Sequence, residues 1–182
     1  MINYDLIRSK VRKIKSKYSD SHNMKKIADS MDIEIRELDM GKNDSSIKAM
    51  SCIISRIPII ILNENLSDIA KNFITAHELG HIVLHSDQLK EPVTEISFFD
   101  AMRSLENEAN LFASELMIED EEMLELLSYE SKTIFQISSI LNVPYELCAY
   151  KIKMMQTGGF KVASLPYEPE SDFLKQNMFS ST

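Results

Sequence analysis

A chain of 182 residues, 44% hydrophobic and 26% charged, is long enough to bury one core and predicts a single globular unit with at most a small appendage. The N-terminus MINYDLIRSKVRKIKSKYS lacks the apolar run of a signal peptide, and no stretch approaches the roughly 18 apolar residues that a bilayer span needs, so a cytoplasmic protein with no membrane partner is expected. The cysteines Cys52 and Cys148 stand far apart in no CxxC spacing, which excludes a disulfide framework and a thiolate zinc site and predicts two buried, inert thiols.

Ile7, Val11, Ile14 and Tyr18 recur at steps of three and four with lysine and arginine between them, which predicts an amphipathic first helix. Six basic residues and no acid lie between Arg8 and Lys17, and they read as the wet side of that helix. A short helix over Met24 to Met31 leads into the alternation of Ile33, Ile35 and Leu38, a half-buried strand. Gly41 to Ser46 is a polar turn. Two β-branched runs follow, Cys52 to Ser55 and Ile57 to Leu62, with Pro58 inside the second; they are expected to be neighbouring strands of a small sheet.

Asn63, Asn65 and Ser67 offer helix-starting side chains, and Ile69, Phe73, Ala76, Leu79, Ile82 and Val83 mark a long helix from Asp68 to about His85. A loop with Pro92 and a strand-like Ile96 to Phe99 is expected next, then a helix from about Asp100 to Met117 with Leu105, Ala109, Phe112, Ala113 and Leu116 inward. Three shorter helices complete the pattern near 120 to 128, 131 to 141 and 144 to 157, the last stopped by Gly158 and Gly159. The acidic run Glu115, Glu119, Asp120, Glu121, Glu122 and Glu125 reads as a solvated face. The fold class is α+β, mostly helical, with a small sheet before the long helix.

Residues 77 to 81 read HELGH. On a helix, His77 and His81 at i and i+4 project from one face about one turn apart, so both imidazoles can reach one ion, while Glu78 is rotated off the pair and can take a proton from water. With four histidines in the chain, chance alone would give such a pattern in roughly one shuffled chain per hundred, so the motif needs support from context. A third ligand is wanted, and Glu106, Glu108 and His85 are the candidates. On a continuous helix His85 lies about 12 Å of axial rise beyond His77, too far to share an ion with it. Glu106 has Asn110 four residues later on the same face, where Asn110 could hydrogen-bond a ligand, whereas Glu108 lies two positions round; geometry favours Glu106 and keeps Glu108 as the alternative. Two nitrogens and one carboxylate suit zinc (Zn2+), with manganese (Mn2+) or iron (Fe2+) also compatible.

TAHELGHIVLH from Thr75, preceded by IIILN and followed by ENEANLFASELM from Glu106, resembles the ImmA/IrrE family of metallopeptidases over roughly residues 25 to 155. The resemblance implies a zincin-like, gluzincin-type fold with a helical C-terminal segment. It further implies zinc held by His77, His81 and Glu106, with Glu78 as the catalytic base. It also implies site-specific cleavage of a helix-turn-helix transcriptional repressor in mobile-element, prophage or stress regulation. The family often ends its second motif with Leu-Met-Pro, whereas this chain reads Leu116, Met117, Ile118, which removes a helix-ending proline and no ligand.

The expected organisation is a metallopeptidase domain over 1–127, a helix-turn-helix-like segment over 128–160 packed on it, and an irregular tail over 161–182. Ile134 to Met155 has spacing compatible with a DNA-binding helix pair, but Lys151 and Lys153 give it little basic character, so two packing helices and no specific nucleic-acid partner are expected. The competing functional reading keeps the metal and drops the proteolysis, leaving a sensor or partner protein of a regulatory or toxin-antitoxin-like pair. Tyr145, Tyr150 and His85 are candidates for stabilising an oxyanion, with none assigned.

Overall fold

The computed structural model describes residues 2–18, 22–43, 45–87, 89, 98–128, 132–163, 165 and 169–173. These contain the helices α1 (Tyr4–Lys17), α2 (Met24–Ser30), α3 (Asp68–His85), α4 (Phe98–Met117), α5 (Asp120–Ser128), α6 (Ile134–Leu141) and α7 (Tyr145–Thr157), with strands β1 (Glu34–Leu38), β2 (Ala49–Ile54) and β3 (Ile57–Asn63) between α2 and α3. The fold is α+β, as the order of periodicities anticipates. Phe98 and Phe99 belong to α4, which corrects the strand expected there; Pro92 and Ile96 lie outside the described residues. No helix among the described residues is long and apolar enough to cross a membrane.

The sheet runs β1-β3-β2, with β3 central, parallel to β1 and antiparallel to β2. Ser55 and Arg56 connect β2 to β3 with φ of 52° and 69°, the two left-handed residues of a tight hairpin turn. Pro58 pairs with Ile53 and lies one residue before the β1 ladder begins at Ile59, so its missing N–H costs β1 no bond. Ile60 and Leu62 of β3 are buried under the helices. The buried side chain of Asn63 donates to Gly41 O (2.8 Å) and Ile47 O (3.0 Å) and so fixes the polar turn before β2.

Helix α3 starts where Ser67 accepts from Ala70 N–H (3.2 Å), and it buries Ala70, Phe73, Ile74, Ala76 and Leu79. Ile69 is 54% exposed, against expectation, because the buried stripe of α3 begins one residue later and 100° round. Phe112, Ala113 and Leu116 of α4 join Ile7 and Val11 of α1 and Tyr150 and Met154 of α7 in the main core. Ile118, Met123, Ile137, Cys148 and Met155 form a second cluster between α5, α6 and α7, so the isoleucine that stands in place of a proline plugs a core. Phe173, beyond the expected irregular tail boundary, is buried in the main core beside Tyr150.

Two charge readings are corrected. Glu115 is buried, and Lys151 is 1% exposed with its ammonium 2.8 Å from Glu115 and 2.6 Å from Asp120. Arg8 reaches inward as well, 3.0 Å from Glu115 and bonded to Met154 O (3.1 Å). The mix of signs explains it: each acid of this group faces a cation from another helix, which lets both leave water. Glu121, Glu122 and Glu125 are exposed, as a solvated face requires. Cys148 is buried, and burial pushes its thiol up to about 12, whereas Cys52 on β2 is only half-buried.

Candidate metal centre

Helices α3 and α4 cross at Gly80. A Cβ there would sit 3.0 Å from Ala109 Cα and 3.1 Å from Ala109 O, both backbone atoms that cannot swing aside. The small pair lets the two helices approach closely enough for side chains one turn away on each to meet. Gly80→Ala is therefore expected to lower the melting temperature by about 2–8 °C, since forcing extra volume into a tight contact outweighs alanine's better helix propensity. A thermal melt with an unchanged or higher midpoint would show that the helices part freely.

Beside that contact, His77, His81 and Glu106 each offer a ligand atom within 4.8 Å of the others. His77 Nε2 lies 3.1 Å from His81 Nε2 and 3.2 Å from Glu106 Oε2, and His81 Nε2 lies 3.6 Å from Glu106 Oε1. Glu108 turns away from this trio and meets His85 Nε2 at 3.0 Å, while His85 Nδ1 is 3.2 Å from His81 Nδ1. His85 thus borders the trio without joining it. Of the tyrosines considered for an oxyanion, Tyr150 donates its hydroxyl to Asn107 (2.7 Å) and Tyr145 packs on the Phe135 ring.

The tautomer of His77 follows from its surroundings. Asn110 donates its amide to Ser171 O (2.9 Å), a carbonyl that can only accept, so the amide oxygen of Asn110 faces His77 Nδ1 at 2.8 Å. His77 Nδ1 therefore carries the proton, and a neutral His77 points a bare Nε2 at His81 and Glu106. A lone pair, a second imidazole and a carboxylate aimed at one point repel unless something positive lies among them, so the donor set fits a cation. The field agrees: burial works against a charged His77, yet the Glu106 hydrogen bond with the charges of Glu78 and Glu106 outweighs it and raises its pKa. Burial, then His77 beside it, holds His81 down to about 3.

Glu78 is buried at the edge of the trio, with Ser51 of β2 near its carboxylate. Burial raises its pKa, opposed in part by His77 and Ser51. Ser51 is a site residue that sequence reasoning missed. Nothing in the spacing of β2 marks it, because its contact arises only when the sheet packs on α3.

The family model for the IrrE N-terminal-like domain, Peptidase_M78, matches residues 28–153. Metallopeptidase ImmA of Bacillus subtilis (strain 168) is 32% identical over 155 residues, covering 85% of this chain and 87% of that protein. The uncharacterized immunity region protein 2 of Bacillus phage phi105 is 29% identical over 148 residues, covering 81% of this chain and 90% of its own. No solved structure matches. The helix pair that assembles two imidazoles and a carboxylate lies wholly inside the matched region, and the chain belongs to the IrrE N-terminal-like family of metallopeptidases.

Proposed function

We propose that this chain is a cytoplasmic zinc-dependent endopeptidase in which His77, His81 and Glu106 hold the ion, Glu78 is the general base, and a helix-turn-helix transcriptional repressor is the substrate. The observation that carries the reading is the convergence of two imidazole nitrogens and one carboxylate beside a second, buried carboxylate outside the trio. Two nitrogens and one oxygen suit zinc, and Mn2+ or Fe2+ could take the same donors. A bound zinc ion would lower the pKa of a water from about 15.7 toward 7 and polarise the scissile carbonyl.

The remaining work falls to the chain. Glu78 accepts the proton of the attacking water and returns it to the leaving amine; the raised pKa that burial gives it suits a group that must hold a proton between two steps. Ser51 keeps that carboxylate in place, and Asn110 keeps the bare nitrogen of His77 aimed at the ion. We read residues 1–127 as the catalytic unit and 128–160 as a helix pair that packs on it. The repressor assignment rests on the family resemblance and on the immunity-region name of the phage relative.

Incubation of the zinc-loaded protein with the helix-turn-helix repressor encoded beside it is expected to yield a single cut by mass spectrometry. A chelator should abolish the cut and added zinc restore it. An uncut repressor that still binds the metal-loaded protein would replace this reading with that of a non-proteolytic metal sensor.

A further inference from the structure

We propose that Glu108 and His85 form a positioning chain that locks His81 in the tautomer whose bare Nε2 faces His77 and Glu106. The proposal rests on the metal-site reading above. It starts from an acceptor with no choice: an ionised carboxylate only accepts, so with Glu108 Oε2 at 3.0 Å the proton of His85 belongs on Nε2. A neutral imidazole carries one N–H, and His85 Nδ1 is then a lone pair. That lone pair lies 3.2 Å from His81 Nδ1, which must carry the proton between them. His81 Nε2 is left bare, 3.1 Å from His77 Nε2 and 3.6 Å from Glu106 Oε1.

The reverse arrangement is disfavoured at its first link. With the His85 proton on Nδ1, a lone pair would face the Glu108 carboxylate at 3.0 Å in a partly buried setting, where like charges are poorly screened. His85 is 3% exposed, so water cannot substitute for either of its partners. The chain also accounts for the two third-ligand candidates, His85 and Glu108, that the trio leaves out. His85 stands four residues after His81, on the stripe that already carries His77 and His81, and Glu108 turns to His85 while Glu106 turns to the trio. Asn110 performs the equivalent task for His77 through Ser171 O, so each imidazole of the trio is held from behind by its own acceptor.

Two measurements on the full-length chain test this. Long-range proton-nitrogen NMR of the metal-free protein reads the His81 tautomer directly: the wild type should show the proton on Nδ1, and His85→Leu should show a mixture. Zinc affinity, measured by competition with a chromogenic chelator, should fall 10–100-fold in His85→Leu, the usual cost of losing a partner behind a ligand. Glu108→Leu should fall in the same direction, and the double variant should bind no more weakly than His85→Leu alone. His85→Gln, whose amide oxygen can accept from Nδ1–H, should recover most of the affinity. Zinc binding in His85→Leu within about threefold of wild type, or additive losses in the double variant, would overturn the chain. If His85→Leu fails to fold, Glu108→Leu carries the test, its side chain being 24% exposed. A His77→Ala control separates the two readings: if it too binds zinc like wild type, the metal site itself is wrong.

Discussion

Glu78→Gln is expected to lower the rate of repressor cleavage by about 10²–10⁴-fold while zinc content stays at the wild-type level. The substitution keeps the shape of the side chain and leaves an amide oxygen for the Ser51 hydroxyl, so the packing between β2 and α3 survives. What it removes is a buried carboxylate beside the trio that lies outside the ligand set. Because burial disfavours the ionised form of Glu78, the variant should melt no lower than wild type. Single-turnover cleavage followed by mass spectrometry, with metal content measured on the same samples, checks it. Cleavage within tenfold of wild type would remove Glu78 from the base role, and loss of metal would mean that it belongs among the ligands.

The second large effect is structural. Lys151→Met should destabilise the protein by about 3–5 kcal/mol, or lower its melting temperature by about 6–20 °C, since it strips the ammonium from between a buried carboxylate, Glu115, and a partly buried one, Asp120. Glu115 would keep Arg8 at 3.0 Å, but Asp120 would retain only the more distant Arg8 contact at 3.9 Å. The Lys151 ammonium lies 2.6 Å from Asp120, so this leg of the cluster is a close ion pair. Adding Asp120→Asn to Lys151→Met restores the balance of one cation to one anion and should recover a large part of the loss. Thermal or urea melts of the single and double variants decide it; a double variant no more stable than the single would show that packing of the lysine stem, and not charge balance, was lost.

The two charged runs show where reading a sequence stops. The apolar stripe of α1 was legible because Ile7, Val11 and Ile14 repeat with the helix period, but Arg8 sits beside that stripe and its direction depends on Glu115, far along the chain. Lys151 carried no mark of burial. A lysine is placed outside by default, and only the convergence of α1, α4, α5 and α7 around it makes the interior habitable. At the site, four-residue spacing is enough to set His77 beside His81, because both contacts are made within one helix. The approach of Glu106 needed a second helix at the right height, which the Gly80 and Ala109 contact sets and no periodicity announces. Geometry read from the sequence separated Glu106 from Glu108 by helical phase but gave Glu108 no destination, since its partner His85 lies on another element. Phe98 and Phe99 misled for a related reason: aromatic residues favour strands on average, and here they begin a helix.

The hydrogen bond from Asn110 to Ser171 O spans 61 residues, and it sets the order in which the centre can be completed. A ribosome adds about 5–20 residues per second, so roughly 3–12 s separate the synthesis of Asn110 from that of its acceptor. Until Ser171 has been made, the amide that orients His77 lacks the carbonyl that holds it in the folded chain. The alignment of His77 by Asn110 therefore waits on a segment made much later, the one that carries Ser171 and is anchored in the core by Phe173.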